Sequence, residues 1–191
     1  MSENITKLLD VGSGRSSIAP IIYEYIPNLQ VTRLDGNPEN EPDILHDITQ
    51  PLPEELHGAF DIVLASHVVE HVDRDYVNVV MRHIASAVRN HGEVMILVPS
   101  MEWAAREILA GNDNVGVQGA IYGAQYGPLD YHRCGFTLKS LRFMVEIAGL
   151  TPRKAYQAPM AIELLERRYD AIQNIVIATR IDELNEVKQE K

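Results

Sequence analysis

The apolar run Ile5 to Val11 stops at once on Gly12-Ser13-Gly14, and Ser17 to Ile26 then carries Ile18, Ile21, Ile22 and Tyr25 at spacings of three and four. A buried strand, a glycine turn and a one-sided helix in that order form a strand–loop–helix unit. The pattern recurs along the chain. Gln30 to Leu34, Asp43 to His46, Phe60 to Ala65 and Gly92 to Val98 read as strands. Asp73 to Asn90, Glu102 to Ala110 and Thr137 to Ala148 read as helices, the last with Thr137 as N-cap and Gly149 as its stop. Lys154 to Gln157 and Asn174 to Thr179 read as closing strands, with a helix expected between them over Pro159 to Arg168. Strands alternating with helices predict an α/β fold, a parallel sheet covered on both faces. Such sheets bind ligands beyond the carboxyl ends of their strands, where strand order reverses. The loops that follow the apolar runs are therefore where chemistry is expected.

Length and charge narrow the classes. At 191 residues a single domain is expected over 1–181, with 111–135 as an inserted substrate or lid loop and a polar tail over 182–191. The Gly- and polar-rich stretch from Gly111 to Gly135 is too long for a plain connection in a compact domain. No apolar run approaches the roughly 18 residues of a membrane span, and Met1-Ser2-Glu3-Asn4 does not read as a leader. A cytoplasmic location is the expectation. The lone Cys134 excludes an intrachain disulfide framework, a four-cysteine zinc site and an iron–sulfur cluster held by this chain alone. With 27 acidic against 17 basic residues and a net charge of −10, the composition argues against nucleic acid as a partner.

Two loops point to a cofactor. Gly12 and Gly14 let the backbone turn and approach a ligand, Ser13 lies between them, and the next helix offers free N–H groups. Asp35 follows Asp10 by 25 residues and ends the second strand, where a carboxylate can accept from both hydroxyls of a ribose. A nicotinamide dinucleotide would need a third glycine where Ser17 stands. Asp10 would also repel a pyrophosphate, whereas it would attract the ammonium of an amino-acid-bearing cofactor. S-adenosylmethionine is favoured on these grounds. A nicotinamide-dependent oxidoreductase and a non-catalytic binding module stay open as alternatives.

Leu8-Leu9-Asp10-Val11-Gly12-Ser13-Gly14 resembles the first motif of the class I S-adenosylmethionine-dependent methyltransferases, and Leu34-Asp35-Gly36-Asn37-Pro38 their second cofactor loop. His46-Asp47-Ile48 is similar to the adenine-contacting loop, Phe60 to Val72 to the fourth-strand motif of the methyltransferase type 11 group, and Gly92 to Pro99 to the fifth strand. The resemblance runs from about residue 5 to residue 180. It implies a Rossmann-like, doubly wound seven-stranded sheet, mostly parallel with an antiparallel last strand. It also implies S-adenosylmethionine contacts from Asp10, Gly12, Ser13, Gly14, Asp35, Gly36, Asn37, Asp47 and Ile48, with Ser66, His67 and His71 adding to them. Two departures stand out. Ser16 replaces the motif's last glycine, and few residues precede the first strand to supply the N-terminal cover many relatives carry.

The acceptor is expected to be a small molecule or a glycan-type hydroxyl. Ser66-His67-Val68-Val69 is not the Asn/Asp-Pro-Pro-aromatic of enzymes that methylate base amino groups. No metal is expected, because the fourth-strand loop offers no carboxylate before Glu70. Tyr122, Gln125, Tyr126 and Tyr131 are the candidate substrate contacts. His132 is the first candidate for a general base, its ordinary pKa lying near neutrality, and His67 the second. A homodimer is compatible with the sequence.

Overall fold

The computed structural model describes residues 5–182. Beyond Asp182, the expected polar tail lies outside the described residues. The strands are β1 (Thr6–Val11), β2 (Leu29–Asp35), β3 (Ile44–Leu45), β4 (Phe60–Ser66), β5 (Val88–Pro99), β6 (Leu150–Leu164) and β7 (Arg167–Arg180). The helices are α1 (Ala19–Ile22), α2 (Val77–Ala87), α3 (Met101–Leu109), α4 (Val115–Tyr122) and α5 (Leu138–Ile147).

The strands form one seven-stranded sheet in the order β3-β2-β1-β4-β5-β7-β6. The first five are parallel, whereas β7 is antiparallel to both β5 and β6. This is the doubly wound α/β sheet expected. Strand order reverses between β1 and β4, so the loops leaving those two strands flank one crevice. Leu9, Val11, Val63 and Ala65 feed the core under α2 and α5, and Leu8, Ile62 and Leu64 the smaller core under α1. Both faces of each central strand are thus buried, which is why these strands read as continuous apolar runs.

Thr137 caps α5 as expected, in a reciprocal pair with Ser140. Two expectations are corrected. The helix expected over Pro159 to Arg168 is instead the end of a long β6–β7 hairpin, with Leu164 paired to Arg167. Leu165 and Glu166 form its two-residue turn, both with positive φ (51° and 60°). The other correction is that the Gly111–Gly135 stretch is not all loop, since it holds α4. Asn114 caps α4, its side-chain oxygen accepting from the Gly116 and Val117 N–H groups. The helical stretch expected over Ser17 to Ile26 shrinks to the single turn of α1.

The hairpin outruns the sheet. Its pairing to β5 covers Gln173 to Thr179 only. The remaining arm packs against α4 through small residues. A Cβ at Gly116 would stand 2.4 Å from Tyr169 Cβ, and one at Gly119 would stand 2.2 Å from Leu164 Cδ1. The Leu165 N–H donates to the Tyr126 hydroxyl at 3.2 Å, tying the arm's tip to the segment after α4.

Candidate active site

The first loop and the end of β2 are joined by a single carboxylate. Asp35 is buried, and one oxygen accepts from the Gly14 N–H and the other from the Asn37 N–H, each at 2.8 Å. The Gly12 N–H donates to the Leu34 carbonyl at 2.8 Å. Gly12 and Gly14 both have positive φ, and a Cβ on Gly12 would collide with Val68 at 2.5 Å. A Cβ on Gly14 would meet nothing within 4 Å among the described residues, which leaves space over this turn. Gly36 lies against the next loop, where its Cβ would come within 3.9 Å of the Asp47 Cα. Asp47 itself is exposed and accepts from the N–H and hydroxyl of Thr49. Ile48 is buried. Asp10 is 2% exposed, and burial raises its pKa to about 6, with a Ser17 hydrogen bond opposing the shift and the charge of Asp35 adding to it.

A cavity of about 660 Å³ opens beside this loop. Ile18 and Ile22 form its near side, Met95 and Leu97 of β5 its floor, and Met160 and Ile175 of the hairpin its far wall. Ser66, His67, Glu70, His71 and His132 supply its polar face. His67 adopts φ 54° and sits between two acceptors. Its Nδ1 lies 3.2 Å from Glu70 Oε1 and its Nε2 3.1 Å from Gln173 Oε1. Burial opposes charging of His67, but these contacts and the charge of Glu70 outweigh it, so its pKa is raised. His132 is shifted the other way, chiefly by burial, which favours its neutral form. The His71 and His132 rings meet edge to face at 4.8 Å. Burial pushes the Cys134 thiol up to about 12, which disfavours its thiolate.

The structure therefore gathers His67, His71, Ser66 and His132 at one cavity, although His132 comes from a distant loop. It does not bring the tyrosine candidates there. Tyr122, Gln125, Tyr126 and Tyr131 are exposed and stand outside the cavity wall. The positions between them, Gly123, Ala124 and Asp130, line it instead. The contributions of Glu70 and of hairpin residues such as Tyr156, Met160 and Gln173 were not read from the sequence. Alternation along β6 and β7 would have been the signal, and the helix expected over Pro159 to Arg168 hid it.

Residues 3–155 match the sequence model of a family described as "Methyltransferase domain". No curated protein matches the chain. Among solved structures, the 1,6-didemethyltoxoflavin-N1-methyltransferase of Burkholderia thailandensis, with bound 1,6-didemethyltoxoflavin and S-adenosylhomocysteine, is similar at 17% identity. The likeness covers 94% of this chain and 72% of that one, with a TM-score of 0.63. An S-adenosylmethionine-dependent methyltransferase of Methanosarcina mazei is 14% identical over 94% of both chains, with a TM-score of 0.65. Mitomycin 7-O-methyltransferase is 16% identical over 92% of this chain and 49% of that one, with a TM-score of 0.61. The family match sets aside the nicotinamide oxidoreductase, and with the sheet order and the glycine loop at its switch point, it shows that this chain belongs to the methyltransferase domain family and is a class I S-adenosylmethionine-dependent methyltransferase.

Proposed function

We propose that this enzyme methylates a small-molecule or glycan-type acceptor held in the cavity beside the first loop. The observation that carries this reading is the cavity itself. Its volume of about 660 Å³ lies in the small-molecule range, and it joins an apolar floor to a few converging polar groups. The net charge of −10 makes a nucleic-acid acceptor unfavourable.

The cofactor cradle fits S-adenosylmethionine. Gly14 leaves open space over the first loop, and Asp35, though it holds two N–H groups, keeps lone pairs for ribose hydroxyls. Asp10 is a buried carboxylate whose raised pKa is relieved by a cation, as the ammonium of the cofactor would provide. Gly12, Ser13, Gly36, Asn37, Asp47 and Ile48 complete the cradle, and Ser66 at the end of β4, with His67 and His71 beyond it, lines the cavity beside it. When bound, S-adenosylmethionine supplies an activated methyl group and its own leaving group. The protein's work is to align the acceptor, exclude water and receive a proton. His132 lines the cavity, burial favours its neutral form, and in the ion-free site it is our candidate to take that proton.

The test is transfer of labelled methyl groups to a panel of hydroxylated small molecules and sugars, in wild type and His132→Ala. Turnover on the accepted class should fall by roughly 10²–10⁴-fold in the variant, the usual contribution of a general acid or base, with cofactor affinity retained. Tight cofactor binding without transfer to any acceptor class would contradict the reading and favour a binding module.

A further inference from the structure

Glu70 is 1% exposed, and its Oε2 has no hydrogen-bond partner among the described residues. A buried carboxylate oxygen left bare is costly, and its presence asks what satisfies it. One ligand atom each from Glu70, His71 and His132 lies within 4.8 Å of the other two. Both histidines are prepared in the same way. His71 Nδ1 faces the Tyr131 carbonyl at 3.2 Å, and His132 Nδ1 faces the Ala120 carbonyl at 3.1 Å. A carbonyl only accepts, so each Nδ1 donates, and in the neutral ring Nε2 is then the nitrogen with a free lone pair. Imidazoles whose far nitrogen donates to a backbone carbonyl are a hallmark of metal ligands, because the outer hydrogen bond sets the tautomer and the ring orientation.

The backbone is built to hold this cluster. The Glu70 carbonyl accepts from the Arg133 and Cys134 N–H groups at 2.8 and 3.2 Å, which brings the His132 loop onto the turn after β4. The His132 N–H donates to the Tyr122 carbonyl at 3.1 Å, fixing the loop to the end of α4. Glu70, His71 and His132 all border the acceptor cavity.

We propose that Glu70, His71 and His132 bind one divalent first-row transition ion, of the zinc class, at the wall of the acceptor cavity. Two imidazoles and a carboxylate suit such an ion and leave coordination positions open. With bonds of about 2.0 Å, tetrahedral ligands stand roughly 3.3 Å apart, so the three ligand atoms, now within 4.8 Å of one another, draw together when the ion binds. The carboxylate supplies negative charge, and the ion satisfies Oε2. His71 and His132 are 61 residues apart, which is why no local motif announces the site. The ion's role rests on the cavity being the acceptor site. There its open positions would hold an acceptor hydroxyl and lower its pKa, so that the hydroxyl proton passes to solvent water while His132 Nε2 serves as ligand in place of the base role proposed for the ion-free site.

The experiment is calorimetric titration of zinc chloride into the untagged full chain after chelator dialysis. Circular dichroism and S-adenosylhomocysteine binding serve as checks of folding. One zinc per chain is expected, with affinity lowered at least tenfold in His71→Gln and in His132→Gln and unchanged in His91→Asn, a change at an exposed histidine. Cobalt added to the wild type should develop visible absorption bands saturating at one equivalent. No stoichiometric zinc uptake, no such bands, or equal affinity in all the variants would overturn the site. Failure of zinc binding with S-adenosylhomocysteine binding intact would leave the methyltransferase reading standing. Failure of S-adenosylhomocysteine binding would strike that reading and leave the zinc titration valid.

Discussion

Asp10 is a residue at which stability stands against the cofactor role proposed for it. It is held in the interior at 2% exposure, and its pKa stands near 6 against an ordinary value of 3.8. Between these two values the folded chain binds more proton than the unfolded chain, so stability falls as pH rises from about 4 to 6. Above that window the buried charge carries its full cost, which a shift of this size puts at about 1–3 kcal/mol. Asp10→Asn should therefore stabilise the cofactor-free chain near pH 7 by that amount. The difference should vanish below about pH 4, as read by urea unfolding across the range. A difference that does not change with pH would contradict the assignment. The same substitution should weaken cofactor binding, since the ammonium then meets no carboxylate. The Asp10, Gly12, Gly14 and Asp35 positions were legible in the sequence because a glycine turn and a strand-ending acid are local features. The Glu70–His71–His132 cluster was not, because it forms only when a distant loop folds back.

Among the elements, the β6–β7 hairpin is where sequence and structure part. Ala161-Ile162-Glu163-Leu164-Leu165-Glu166-Arg167-Arg168 is rich in good helix formers, which is why a helix was expected there. Strand pairing overrides that local preference, with Ala161 to Leu164 paired to Asp170 to Arg167 and the arm docked on α4. The turn gives no warning either, since Leu165-Glu166 lacks the Asn or Gly that usually marks a two-residue hairpin. The five parallel strands, by contrast, were legible as apolar runs because both their faces are buried. The hairpin matters to the site because it forms the cavity's far wall, docked on α4 through Gly116 and Gly119. Gly116→Ala places its methyl 2.4 Å from Tyr169 Cβ, an atom too close to the backbone to swing away. That variant should lose about 1–3 kcal/mol of stability by overpacking, measured by chemical denaturation. Gly127→Ala, with nothing within 4 Å of the added carbon, serves as the neutral control. Equal stability of the two variants would show that the arm does not rest on α4.

At the scale of the molecule, the sheet order alone brings the two halves of the site together. β1 and β4 are neighbours across the switch point, so the glycine loop and the His67 loop open onto one crevice. Asp35 then ties the glycine loop to β2, which makes it the natural point at which to probe the whole cradle. The most direct test of the account is calorimetric titration of S-adenosylmethionine into the wild-type chain and into Asp35→Ala. One equivalent should bind the wild type, and the variant should bind more weakly by about 1–3 kcal/mol, the scale of a lost hydrogen bond to a charged group. No binding to the wild type, or equal affinity in the two proteins, would contradict the account.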